Sequence, residues 1–291
     1  MPDHPLRPLT DLPGVADAVA RARAACEALR WHRALRRQWA VVRTEAGVRC
    51  ARAGAVVDGI RVPLTVVRDV ARGADDAASG PEGRAVVGAL RVQAEVERLM
   101  RAPGATGVRG AMPFGQLAAR LHALGVGEDV GDGVPGRPRS GGQPLDLRGL
   151  GPAPVAGELD ARLAALGALA GAPLPREVPA LVLSAVVHGE MLALRPFTQG
   201  NGVVARALFR HQVTTGGVDP VGVVVPEAVW AQEPNVYLSA AAGFATGSPE
   251  GVARWLRYCA ESVTQGAAEG TAIADAVLAG SLTGAGGPAG G

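Results

Sequence analysis

The segment LRPFTQGNGVVAR, residues 194–206, holds the residues whose order points most directly to chemistry. Pro196 biases Arg195 away from helical backbone angles and ends the apolar run before it. Gly200 and Gly202 reach conformations that other residues resist, so the chain can turn there with its N–H groups pointing inward. A new helical pattern starts at once. A glycine-rich turn feeding a helix suits an anion, because unpaired amides and the helix dipole both favour negative charge. Arg206 stands about one turn further on, and helical side chains lean toward the N-terminus, so its guanidinium reaches the same place. Phosphate is the natural ligand for Gly200, Asn201, Gly202 and Arg206. A plain interhelical turn with a surface arginine would carry the same residues.

Few other side chains offer chemistry nearby. His188 precedes the turn by about 10 Å of helix at 1.5 Å per residue, and His211 is similarly remote on the far side. Both read as structural. His122 has apolar neighbours and no second ligand four residues away, which makes it structural too. Cys26, Cys50 and Cys259 lack metal-ligand spacing and read as small buried residues. Asp58 closes the run GVRCARAGAVV before Gly59, in a capping position.

These residues must be positioned by helices. The apolar spacing over residues 13–44 predicts one long amphipathic helix or a broken pair, with Arg30, Arg33, Arg36 and Arg37 on a solvated face. Pro63 opens another helix, residues 84–101 a further one, and FGQLAARLHALG a short one. Residues 125–157, rich in Gly and Pro, form the longest irregular segment, and such loops are functional or disordered. Helical patterns resume in GELDARLAALGALAG and in EVPALVLSAVVHGEMLAL, the latter apolar almost all round and therefore central. They continue through VVARALFRHQVTTGG, PNVYLSAAAGFATG and SPEGVARWLRYCAESVTQ. Only VGVVVP looks like a strand, and GSLTGAGGPAGG reads as a disordered tail. The expected fold class is mostly α.

In the 291 residues, 48% are hydrophobic, enough for a sizeable core. The 29 basic residues are all arginine and face 27 acidic ones, a net charge of +2 that gives no case for a nucleic-acid partner. The start has no signal-peptide pattern, and no run approaches the roughly 18 apolar residues of a membrane span, so a cytoplasmic protein without a membrane partner is expected.

The turn resembles the motif HxFx(D/E)GNGRxxR of the Fic (Fido) family, whose members mostly transfer AMP from ATP to a hydroxyl of a protein target. Phe197, Gly200, Asn201, Gly202 and Arg206 match it, and Pro196 agrees with the usual HPF. RCARAGAVVDGIRVP looks like a worn form of the family's N-terminal SARASSxIEG. LHALG followed by VPGRPR is similar to the helix before its flap and the PGxYR after it. The segment 235–262 is similar to its closing helices. The resemblance covers residues 15–265 and implies a Fic-type helical bundle with a small flap or loop insertion. It divides the chain into an N-terminal helical region (13–110) with a degenerate inhibitory motif, a core (111–265), and a C-terminal helix remnant with a disordered tail (266–291). It also implies that Phe197, Gly200, Asn201, Gly202 and Arg206 serve a phosphate.

The departures fall on the catalytic parts. Arg195 stands where the family has its general base, and a guanidinium has no acceptor lone pair and a pKa above about 12. Losing a general base removes about 10² to 10⁴ in rate. Gln199 replaces the acidic magnesium ligand with a neutral amide, which makes Mg²⁺ doubtful. Val203 replaces a phosphate-binding arginine. At the mouth of the turn, Arg195 is expected to strengthen anion binding while removing catalysis. The family's inhibitory pattern (S/T)xxxE(G/N) aligns with Gly54, Asp58 and Gly59, which predicts an Asp58–Arg206 contact. Three functions stay open: a catalytically impaired protein that binds ATP, another nucleotide or a phosphate ligand and regulates a protein partner; an active transferase using a modified mechanism on a protein target; and an interaction protein whose anion site is empty.

Overall fold

A helix without a polar face belongs at the centre of a bundle, and in the computed structural model, which describes residues 4–74, 79–105, 112–127 and 133–282, the segment Ala180–Leu194 takes that place. In chain order the helices are α1 (Arg7–Thr10), α2 (Val15–Arg30), α3 (Trp39–Val57), α4 (Leu64–Ala71), α5 (Gly80–Leu99), α6 (Phe114–Val126), α7 (Ala156–Gly171), α8 (Ala180–Leu194), α9 (Asn201–Thr215), α10 (Glu227–Gln232), α11 (Pro234–Ala245) and α12 (Pro249–Leu278). Every residue of α8 except Ala180 and Glu190 is buried, with α7, α9, α11 and α12 packed around it. Trp255 of α12 donates from its indole N–H to the Ala185 carbonyl, 2.8 Å away, and fixes that helix against α8.

The N-terminal stretch is a broken pair. Ring nitrogen Nδ1 of His32 accepts from the Ala34 amide at 3.3 Å and starts a 3₁₀ turn at Arg33–Arg36, separating α2 from α3. Apolar periodicity runs through this break because both helices bury the same side of the chain. Arg30, Arg36 and Arg37 are exposed, as a solvated face requires.

The expected strand does not form, and no strand is present among the described residues. Val223, Val224 and Val225 are extended and buried, but they lie across α12 instead of pairing with another strand. The Val225 amide donates to the Gly266 carbonyl at 3.2 Å. A methyl group at Gly270 would come within 2.6 Å of the Val223 carbonyl oxygen, so the close crossing needs glycine there. α12 accordingly runs unbroken past the boundary expected at 266. The tail beyond Leu282 and residues 128–132, in the stretch where the resemblance implies a flap, lie outside the described residues, as does the boundary near 110.

Helices α3, α5, α6 and α9 enclose the space in front of the turn. α5 and α6 touch so closely that a methyl at Gly88 would lie 1.9 Å from the Gly125 carbonyl oxygen. Gly88→Ala is therefore expected to destabilise the protein by about 1–3 kcal/mol through overpacking. Gly115→Ala, where nothing stands within 4 Å, should be neutral or stabilising by up to about 1 kcal/mol. Urea unfolding checks this, and equal effects at the two positions would contradict the close crossing.

Candidate functional site

The turn between α8 and α9 is built as the sequence suggests, with one reversal at each end. Arg195 caps α8 in the left-handed region (φ 42°), and Gly200 precedes α9 in the same region (φ 76°). Phe197 is buried and stacks on His122 of α6 with ring centroids 3.9 Å apart. It belongs to the core, and its contribution to the turn is its backbone: its amide donates to Asn201 Oδ1 and its carbonyl accepts from Asn201 Nδ2, each at 2.8 Å.

A cavity of about 600 Å³ opens before the N-terminus of α9. Gly200, Gly202, Val203 and Arg206 form its floor, and Gly54 and Asp58 of α3 form one wall. Val203, where the motif has an arginine, packs its methyl groups toward Gly125 of α6. Arg206 is 2% exposed. Its Nη2 donates to Asp58 Oδ2, whereas Nη1 has no partner and lies beside the Gly202 backbone at the helix start. The guanidinium rests on Gly54, where a methyl would be 3.2 Å from Nε. A side chain at Gly54 would therefore contest the space that Arg206 uses. Burial works against the Arg206 charge, but Asp58 holds the group more firmly protonated than usual.

Arg195 does not do what its position suggests. Its side chain turns away from the cavity, 1% exposed, and donates from Nη1 to the Leu147 carbonyl at 3.0 Å and from Nη2 to the Gly151 carbonyl at 2.8 Å. The expected reinforcement of anion binding is corrected accordingly: the guanidinium is used to hold the irregular segment 133–151. A second buried arginine, Arg139, holds the same segment from the other side. It donates to the carbonyls of Arg195, Gly142, Pro154 and Leu194 at 2.7–3.2 Å, and its own amide donates to Pro196. The Leu145 amide adds a bond to Thr198 at 2.7 Å. The segment is thus strapped across the turn.

The strap delivers Asp146, a residue that sequence reasoning missed. Asp146 Oδ2 accepts from the Asn201 backbone amide at 2.8 Å, and Oδ1 accepts from the Asn201 side chain at 2.7 Å. Burial pushes its carboxyl above the usual range, the Asn201 bonds pull it down, and nearby Asp58 pushes it up. Asn201 is consequently engaged on all sides. Nothing in the sequence marks PLDLRG as special, since an irregular segment has no period from which to place a side chain. Arg139 did leave a signal, as the last residue of VPGRPR.

The histidines are in use elsewhere. His122 Nδ1 accepts from the Gly136 amide at 2.8 Å, which places the proton on Nε2, 3.0 Å from the Gln199 carbonyl oxygen. Burial lowers its pKa, so it stays neutral. His188 shares a 2.9 Å hydrogen bond with the Tyr237 hydroxyl amid the rings of Phe209, Trp230 and Trp255. Burial, and then Arg206, push its pKa well below the ordinary value. His211 is likewise depressed by burial. All three cysteines are buried free thiols, Cys26 pushed up to about 12 by burial and by Asp219. Among the described residues no three His, Cys, Asp or Glu side chains group as metal ligands, and no helix is long and apolar enough to cross a membrane.

No family model matches the sequence, and no curated protein is similar to it. Solved structures are similar in fold. A Fic family protein from Desulfovibrio desulfuricans G20 matches with a TM-score of 0.71 at 19% identity, covering 89% of this chain and 74% of its own. Fic-1 from C. elegans matches with a TM-score of 0.65 at 14% identity, covering 91% of this chain and 73% of its own. The chain has the all-helical Fic fold. The role of Arg195 makes a prediction about the strap. Arg195→Met should cost about 1.5–3 kcal/mol for each charge-assisted bond lost and raise hydrogen exchange at the Arg139 and Leu145 amides. Unchanged exchange at those two amides would contradict the latch.

Proposed function

We propose that this Fic-fold protein has lost group-transfer chemistry and binds a phosphate-bearing nucleotide in the cavity before α9, acting as a regulatory or partner subunit. The reading rests on how one turn treats its two arginines. Arg206 is turned in, buried, with its terminal Nη1 unpartnered at the helix start, whereas Arg195 is turned away from the cavity with both terminal nitrogens tied to carbonyls and only its Nε unpartnered. A buried guanidinium N–H without an acceptor costs free energy, and a phosphate oxygen at the α9 N-terminus relieves that cost while gaining the helix dipole.

Transfer to a hydroxyl needs a base, and the position of the family's base holds a side chain that neither accepts a proton nor faces the cavity. His122 is engaged at both ring nitrogens, and His188 lies in the aromatic core. Gln199 offers an amide oxygen where magnesium prefers a carboxylate, and the two carboxylates of the cavity, Asp58 and Asp146, are already bonded to Arg206 and Asn201. The reading therefore assigns no step to a metal. The Asp58–Arg206 ion pair supports an inhibitory role for Asp58, since it occupies the cation that a phosphate chain would use.

Two measurements test the proposal. Calorimetry with ATP, ADP and AMP should show binding that Arg206→Ala weakens by about tenfold or more, and absence of binding at millimolar ligand would overturn it. With labelled ATP and a cell lysate, the wild type should transfer no label, whereas the combined Arg195→His, Gln199→Asp, Val203→Arg variant should; transfer by the wild type would favour an active enzyme instead.

A further inference from the structure

We infer that Asp146 is a tethered anion seated in the phosphate site, so that a phosphate ligand enters by exchange with the strap that carries it. The inference rests on the reading of this cavity as a phosphate-ligand site and specifies how that site is regulated.

The first ground is where the carboxylate sits. A phosphate at the start of α9 would take the first amides of the helix, and the first of these, on Asn201, already donates to Asp146 Oδ2. The second oxygen takes the Asn201 side chain. A carboxylate bound through two donors presents the same face as two oxygens of a phosphate.

The second ground is that the seat is only half filled. The other cationic element of the site, Arg206, keeps Nη1 buried and unpartnered beside Gly202. Asp146 makes no ion pair with it, and Asp58 holds only Nη2. One carboxylate takes a single backbone amide of the seat and the Asn201 side chain, and a ligand with more oxygens and more charge is needed to engage both sides. Asp146 also lies close enough to Asp58 for the two negative charges to oppose each other, while the Arg195 guanidinium attracts it from the strap side.

The third ground is the strain in the latch. Apart from glycines, the described residues with positive φ are Leu147 at 53° and Arg195 at 42°. They stand at the two ends of one hydrogen bond, Arg195 Nη1 to the Leu147 carbonyl, immediately after Asp146. Backbone strain of this kind persists only where surrounding contacts enforce it, and it gathers at switch regions. Release of the strap relaxes one strained residue and removes a negative charge from the site in the same movement.

A simple helix cap would look alike in its bonds but behave differently toward ligand. The test is calorimetry with inorganic pyrophosphate, free of metal, on the wild type, Asp146→Asn and Asp146→Ala. The asparagine keeps an acceptor for the Asn201 amide and loses the charge together with the acceptor for the Asn201 side chain, which is far less than the alanine removes, so the fold is expected to survive. Both variants should bind pyrophosphate about tenfold more tightly or better, the scale of removing one unit charge a few ångströms from an anion. Pyrophosphate should also accelerate hydrogen exchange of the wild-type Leu145 amide as the strap leaves. If the wild type binds and the variants bind equally or more weakly, Asp146 is a cap or a ligand-supporting group and the inference falls while the proposed function stands. If none of the three binds at millimolar pyrophosphate, both fall.

Discussion

Arg195 leaves α8 with a left-handed backbone, and the rest of the site depends on that reversal. It stops the central helix, sends the chain through Pro196 and Phe197 into the turn, and points the α9 N-terminus into the cavity. It also throws the Arg195 side chain to the far side of the turn, where two carbonyls of the strap receive it. The Arg195 side chain thus has a structural task. The strain at Arg195 and Leu147, of order 1–3 kcal/mol each, is held in place by charge-assisted bonds from Arg195 and Arg139.

The floor of the cavity is connected to the core in a way that limits how far Arg206 can move. Arg206 and Arg210 stand one turn apart on the inner face of α9. Arg210 is fixed by Gln93 at 2.6 Å, Glu97 at 3.3 Å and the Gly222 carbonyl at 2.9 Å. Behind Arg206, the Tyr237 hydroxyl lies within its electrostatic reach and bonds to His188. Asp58 and Asp146 then bring negative charge to the two elements that would hold phosphate, one to the guanidinium and one to the first amide. On the proposed reading, the same donors serve folding without ligand and would serve recognition with it, so the site competes with itself.

How much of this was legible in the sequence follows from what has a period. Most helices did, and their apolar spacing placed α5 and α11 in outline, whereas α8 was legible from a run apolar almost all round. The GNG turn with Arg206 was legible from glycine chemistry, and the Asp58–Arg206 contact only through the resemblance, since 148 residues separate the partners. The helical pattern read over SPEGVARWLRYCAESVTQ continues in α12 through Gly266 and Gly270, which make room for residues 223–225. VGVVVP read as a strand because extended, buried valines look alike whether they meet a strand or a helix. Asp146 and the direction of the Arg195 side chain were invisible, because both are set by a loop whose path is written in side chain to carbonyl bonds.

The central claim is that one anion seat, formed by the α9 amides and Arg206, is held by the protein's own carboxylate and open to phosphate. Amide-resolved NMR during a pyrophosphate titration tests it most directly. The account predicts that the Asp146, Asn201 and Gly202 amide resonances shift together and saturate at one ligand per chain. Saturable shifts that leave these three amides unmoved would contradict it.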